Sequence, residues 1–442
     1  MGINNFVYSN IVDIFTEFRL IYDSNHILAE SEVLMTYIKR DIEEAFFRLS
    51  SQFKVLLVTG PRQVGKTTMM KKLMEGSDRK YVTLDDLVLR NLAKNDPGLF
   101  IKTYSPPVFI DEIQYAPELF SYIKMQVDEN QQKSDYWLSG SQVFHLMRDV
   151  GESLAGRVGL LNLFPLSQNE VYNHNKCTPL ELNLNHLQER INNIPMASPI
   201  DIFARIYNGS MPEAVSGGDD FRDHYYESYV RTFLERDVRD LSGDINVLKF
   251  FRFMIAVAAH TSQLVNFKSI ADDTEIDQIT AKNWLNILET LGLIFYLYPY
   301  SNNLLKRTIK SPKLYFYDSG LVAYLTRWSS VETLMNGAQS GALLENFVVS
   351  EVMKGYHNCG LKPNLYYFRD KDNREIDLLW EADDTLYPVE IKKTAMPDAR
   401  LTKVFGALEK SDKTLGNGGI ICMYDDFIPL NNKNFVIPVR CV

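Results

Sequence analysis

The sequence predicts an α/β protein organised by a parallel sheet with a glycine loop at the end of its first strand, followed by helical segments and a second, smaller α/β unit. Three observations carry that prediction. Short apolar runs at Val55 to Val58, at Val108 to Ile110 and within Asp135 to Ser141 have the composition of strands buried on both faces. The first of them runs into G-x-x-x-x-G-K-T, read as Gly60, Gly65, Lys66 and Thr67. Toward the C-terminus, short alternating strands replace the helical patterns of the middle.

Length and charge bound the rest. A chain of 442 residues exceeds one hydrophobic core. With 47 basic against 56 acidic residues and a net charge of −9, it is not coated in positive charge, so any nucleic-acid contact would be local. Cys177, Cys359, Cys422 and Cys441 are scattered without metal-ligand spacing and read as reduced cysteines of a cytoplasmic protein. No signal-like start and no long uninterrupted apolar run is present, so secretion and membrane spanning are not expected.

Taken in order, residues 1–36 say nothing about chemistry, and an amphipathic helix through Tyr37, Ile38, Ile42 and Phe46 leads into the first strand. The loop after that strand is an anion cradle. Gly60 and Gly65 let successive backbone N–H groups face a phosphate chain, and the following helix presents its positive end to the same charge. Gly60, Pro61, Arg62, Gln63, Val64, Gly65, Lys66, Thr67 and Thr68 are the candidate nucleotide contacts. Lys66 reaches the β and γ phosphates, and the Thr67 hydroxyl is a ligand for Mg²⁺. ATP with Mg²⁺ is the expected cofactor pair.

Lys80 to Leu87 reads as a second strand and Val108 to Ile110 as a third, ending in Asp111-Glu112. Asp111 is placed to hold the Mg²⁺ water shell and Glu112 to polarise the water that attacks the γ phosphate. Ser139 and Ser141, at the tip of the fourth strand, are either γ-phosphate sensors or ordinary turn residues. Arg157, just before a fifth strand, is either an arginine finger on a nucleotide, its own or a neighbour's, or the partner of a nearby carboxylate. This first unit is expected over 37–165, with a small helical lid over 166–225.

A helical stretch from Asp223 to Leu241 carries Arg231, Arg236 and Arg239, which either face solvent or reach the nucleotide from the lid side. Residues 226–336 then give helices and a strand in helix-turn-helix order, so a winged-helix domain is expected. Lys306, Arg307, Lys310 and Lys313 cluster in its wing as a candidate DNA contact.

Residues 337–442 form the last expected domain. Its first helix has Leu344, Phe347, Val348 and Val352 as a buried stripe, with Glu345 beside it. Period two sets Asp377 on the polar face of one strand, and Glu390 and Lys392 on the polar face of the next. That is the arrangement of metal-dependent nucleases: Asp377 and Glu390 would hold Mg²⁺ while Lys392 orients the attacking water. The alternatives are a surface hairpin of alternating charges, or a nuclease fold kept for structure.

Together the GPRQVGKTT loop, VFIDEIQ, LSGS, LAGRV, ERDVRDL, YFYDSGL at Tyr315 to Leu321, GALLENFVVSEV and EIDLLW…PVEIKK resemble prokaryotic AAA-type ATPases with a C-terminal restriction-endonuclease-like domain. The resemblance runs from about Tyr37 to near the end. It implies a P-loop NTPase parallel sheet with an additional strand, a helical lid, a winged-helix domain and a C-terminal α/β restriction-endonuclease-like PD-(D/E)xK domain. It also implies ATP hydrolysis; DNA as a partner is expected from the basic wing near Lys306 to Lys313 and from the C-terminal domain, and an oligomer is compatible with the sequence. A signalling or scaffold ATPase with an inert C-terminal fold is the alternative.

Overall fold

The first sheet has five parallel strands, in the order β2 (Lys80–Thr83), β3 (Val108–Asp111), β4 (Tyr136–Gly140), β1 (Val55–Thr59) and β5 (Val158–Asn162). The computed structural model describes residues 37–129, 132–141, 154–173, 178–238, 246–302, 307 and 311–442. β1, β3 and β4 are buried at every position, which is why they read as unbroken apolar runs, whereas β5 lies at an edge and alternates. β4 stands between β1 and β3, so the strand after the Asp111 motif is inserted beside the loop strand. A core of Val55, Leu57, Val108, Ile110, Phe120, Ile123 and Leu138 packs one face of this sheet.

Helix Pro199–Asn208 opens on a capping box in which the Ser198 hydroxyl accepts from the Asp201 N–H. Helices Val247–Ala259, Phe267–Thr274 and Gln278–Thr290 follow, then an antiparallel pair, β6 (Ile294–Leu297) and β7 (Lys313–Phe316). This is the expected order of elements. The YFYDSGL motif is a packing knot in it. Asp318 accepts from Ser210 N–H, Tyr226 Oη and Leu321 N–H, and a Cβ on Gly209 would lie 2.8 Å from the Gly320 Cα.

The long helix Ser340–Asn358 buries the expected Leu344, Phe347, Val348 and Val352. It departs from the expected single stripe by also burying Asn346, Ser350, Glu351, Lys354 and Asn358. The reason is that it is packed from several sides. Asn346 exchanges hydrogen bonds with the backbone of Phe316, and Lys354 donates to the Leu166 carbonyl at 2.9 Å and pairs with Glu351. Such buried charges persist only when so satisfied.

After this helix come β8 (Leu365–Arg369), β9 (Glu375–Ala382) and β10 (Thr385–Lys392), with β9 antiparallel to both of its neighbours. A 3₁₀ segment, Ala399–Lys410, and the short β11 (Thr414–Leu415) lead to β12 (Gly418–Cys422) and β13 (Asn434–Pro438), which continue the sheet in parallel. Tyr300 N–H donates to the Tyr367 carbonyl at 2.7 Å, so the chain leaving β6 is stitched to β8. Residues 39–442 pack as one unit.

Candidate functional site

The carboxyl ends of β1, β3 and β4 meet around one carboxylate, the usual place for a ligand in an open parallel sheet. Asp111, 4% exposed, accepts from the Thr67 hydroxyl at 2.9 and 3.1 Å, from Tyr81 Oη at 3.2 Å and from Ser139 Oγ. Thr67 lies in the first turn of helix Lys66–Met74, so the loop strand and the Asp111 strand converge through this pair. Two hard oxygens in contact at the loop suit Mg²⁺, which prefers oxygen ligands and keeps several waters.

The loop itself is fixed from three sides. Gly60 has φ +144°, and a Cβ there would lie 2.0 Å from the Leu163 carbonyl oxygen, so no other residue fits. Gly65, at φ +89°, caps the helix. Lys66, 6% exposed, donates to the carbonyls of Gly60 at 3.0 Å and Pro61 at 2.7 Å. Behind the loop, buried Arg40 donates to the Val64 carbonyl at 2.7 Å and to the Phe164 carbonyl at 2.7 Å, and pairs with Glu170 at 2.9 Å. On another side Gly292, at φ +73°, abuts Pro61: a Cβ would lie 3.0 Å from its Cγ.

Glu112 follows Asp111 in a left-handed conformation at φ 57°, an uncommon one for a residue with a side chain. Its carboxylate accepts from the Gln114 amide, which also lies 3.4 Å from Ser141 Oγ. The structure thus brings Lys66, Thr67, Asp111, Glu112, Ser139 and Ser141 to one end of the sheet. Gln63 on the loop and Thr68 in the first turn of the helix are exposed, and Val64 is buried beneath the loop.

Arg157 is not brought there. It precedes β5, at the amino end of the parallel sheet, and pairs with Asp128 at 2.5 Å in solvent. Within this chain it meets a nearby carboxylate, one of its sequence readings, and not the nucleotide loop. The side chain of Arg236 and all of Arg239 lie outside the described residues.

Sequence reasoning missed Arg40, Tyr81 and Gln114. Tyr81 had a signal: it is two residues from Thr83, which pairs with Asp111 across the parallel ladder, so both face one side. Arg40 had none, because its partners Val64, Phe164 and Glu170 are remote in sequence.

A second polar cluster lies in the C-terminal sheet. Asp377 and Glu390 are 6% and 4% exposed, and the Lys392 ammonium sits 2.9 Å from Asp377 Oδ2 and 2.6 Å from Glu390 Oε2. Asp377 also accepts from the Ile391 N–H at 2.9 Å. Glu345 accepts from Tyr315 Oη at 2.7 Å. Burial, reinforced by the Asp377 charge and opposed by Lys392, raises the Glu390 carboxyl well above its ordinary range; burial likewise raises Glu345, with Lys313 opposing. The three expected residues are therefore together. As arranged, though, they do not fit the expected Mg²⁺, because an ammonium group bridges Asp377 and Glu390. Among the described residues no group of three or more His, Cys, Asp or Glu side chains is set to hold a metal.

The expected DNA-binding wing is corrected at both of its described members. Arg307 is 8% exposed and pairs with Glu381 at 2.7 Å; Lys313 is 3% exposed and pairs with Glu345 and Glu375. Their charges are neutralised inside the protein rather than offered to phosphates. Lys306 and Lys310 lie outside the described residues.

Residues 52–172 match the family described as AAA domain, and the loop geometry agrees: this part of the chain is a P-loop ATPase domain. Residues 200–332 and 340–442 match two domains of unknown function, DUF8612 and DUF4143. Uncharacterized proteins of Mycobacterium tuberculosis and Mycobacterium bovis are each 28% identical over 363 residues, 81% of this chain and 75% of theirs. An uncharacterized protein of Methanocaldococcus jannaschii is 25% identical over 332 residues, 67% of each chain. Among solved structures, the Walker-type ATPase PABY2304 of Pyrococcus abyssi is similar at 14% identity and a TM-score of 0.42, over 65% of this chain and 96% of its own. The RuvB Holliday junction branch migration motor of Thermotoga maritima reaches 16% and 0.28, over 58% of this chain and 85% of its own. Among the described residues no helix is long and apolar enough to cross a membrane.

Proposed function

We propose that this chain binds ATP in the loop from Gly60 to Thr68, hydrolyses it, and uses nucleotide state to act on its C-terminal unit. The contact between Thr67 and Asp111 supports this most directly, since it joins the loop to the acidic strand. Lys66 and the start of its helix offset phosphate charge. Thr67 and Asp111 would hold magnesium, which when bound neutralises phosphate oxygens. Glu112, oriented by Gln114, takes a proton from the water whose oxygen bonds to the γ phosphorus as the bond to the β,γ-bridging oxygen breaks. Ser139 or Ser141 senses the γ phosphate. In the test, Lys66→Ala is expected to weaken ATP affinity at least about tenfold, and Glu112→Gln to keep binding while losing turnover. Unchanged affinity and turnover in Lys66→Ala would refute the reading.

For the remainder we propose a lid over 166–225, a winged-helix-like unit over 226–336 and a nuclease-like PD-(D/E)xK unit over 337–442, in a cytoplasmic protein that acts on DNA, alone or as an oligomer. The convergence of Asp377, Glu390 and Lys392 supports the nuclease-like reading. The ammonium bridge between the carboxylates favours a second one, an ATPase switch with a catalytically silent C-terminal unit. Mn²⁺-dependent DNA cleavage, abolished by Asp377→Asn, selects the first; its absence selects the second.

A further inference from the structure

A cavity of about 580 Å³ opens between the C-terminal sheet, the end of the long helix Ser340–Asn358 and the segment that enters helix Leu184–Asn193. A volume of this order holds a small organic molecule. Its walls are aromatic. Trp380 on β9 and Tyr387 on β10 stand directly opposite in the antiparallel ladder, so both side chains rise on the same face of the sheet. Tyr356 joins them from the last turn of the long helix. Gly416 packs against the Tyr387 ring: a Cβ there would lie 2.6 Å from its Cε1, so only a bare backbone leaves the ring its place beside the cavity.

These walls also supply donors. Trp380 is 6% exposed, and its indole N–H has no hydrogen-bond acceptor among the described residues. A buried donor left open costs free energy that the acceptor of a ligand would recover. Burial raises the Tyr356 phenol above its ordinary value, with the Trp380 indole opposing, so it stays protonated; its hydroxyl reaches the Leu180 carbonyl only at 3.5 Å. Asn183 caps helix Leu184–Asn193 by accepting from the Asn185 N–H at 3.0 Å, and the positive end of that helix lies at the cavity rim.

Charge narrows the choice of ligand. Among the described residues that line the cavity there is no lysine or arginine, whereas Glu181 is one of them. A phosphate would meet that carboxylate with no cation to offset it. Glu181 and the amide of Asn417 can instead pair with hydroxyl groups.

We propose that this cavity binds a nucleoside without phosphate: the base lies against the Tyr387 ring with a carbonyl at the Trp380 N–H, and the sugar hydroxyls meet Glu181 and Asn417. The site shares no residue with the ATP loop or with the Asp377 cluster, and rests on neither reading.

The test is calorimetric titration of the full chain with uridine and with guanosine, each compared with its 5′-monophosphate. At least one nucleoside is expected to bind with a Kd below about 1 mM. Trp380→Phe, which keeps a ring and removes the N–H, is expected to weaken that binding at least about fivefold, and the added phosphate to weaken it by a similar factor. Glu181→Gln, at an exposed position, is expected to narrow the gap between nucleoside and monophosphate, and keeps the test open if Trp380→Phe does not fold. No binding of either nucleoside up to about 10 mM, an affinity within twofold of the parent in folded Trp380→Phe, or equal binding of the monophosphate would overturn the proposal.

Discussion

The ring of Tyr317 stacks on that of Phe164, with centroids 4.1 Å apart and planes 25° from parallel. Phe164 follows the last strand of the ATPase sheet and Tyr317 follows β7, so this stack joins the nucleotide-binding unit to the hairpin. His357, from the long helix, lies 4.9 Å from the same Phe164 ring. Three segments distant in sequence therefore share one aromatic contact.

That contact sets a pH dependence. Burial, with a contribution from Lys362, lowers His357 to about 4 from its ordinary value of 6.5. Between those values the unfolded chain binds the proton and the folded chain does not, so stability falls as the pH drops from 6.5 toward 4. The His357 contribution is on the order of 2 kcal/mol between pH 6.5 and 5. Denaturant melts across this range are expected to show a shallower slope for His357→Gln than for the parent chain.

Gly292 meets the nucleotide loop where a side chain has no room. Gly292→Ala places a Cβ against Pro61 and strains a residue at φ +73°, costing about 1 kcal/mol from the backbone alone. ATP affinity, measured by titration, is expected to fall as Pro61 is displaced. Gly76→Ala, at a similar φ but with nothing within 4 Å of its Cβ, should lose stability without losing affinity.

Arg40 fastens the loop from behind. Arg40→Met would leave Glu170 buried without its partner and two carbonyls without their donor, a loss of about 3–5 kcal/mol. Adding Glu170→Gln is expected to recover part of that loss, which a double-mutant cycle from equilibrium unfolding reads directly.

Arg157→Ala removes an exposed ion pair at the far end of the sheet from the loop. Neither the melting temperature nor the rate of ATP hydrolysis is expected to change measurably. A large loss of turnover would show that a neighbouring protomer uses this arginine.

The ATPase sheet was legible because a strand buried on both faces must be apolar throughout, and because a loop that binds phosphate needs glycine at fixed spacing. Lys66, Thr67, Asp111 and the two serines follow from that local grammar. The C-terminal residues were legible for a related reason: alternation along β9 and β10 places Asp377, Glu390 and Lys392 on one side. What did not show was pairing across long stretches of chain. Lys313 reads as spare positive charge beside Arg307 because Glu345 and Glu375 come much later in sequence, and the same holds for Arg307 and Glu381. Arg157 does not reach its own loop, since the residue before a strand lies at the opposite end of a parallel sheet from the residue after one.

The stitch between Tyr300 and Tyr367, together with the reach of Lys313, bears on where this protein can be cut. A fragment starting at Ser340 would inherit every acidic group of its cluster while leaving behind the lysine lodged among them and the segment that extends its sheet edge. Its last unit is thus a dependant rather than a cassette: whoever transplants it must carry the hairpin along, and a recombination event that split the two would deliver a misfitted charge instead of a portable module.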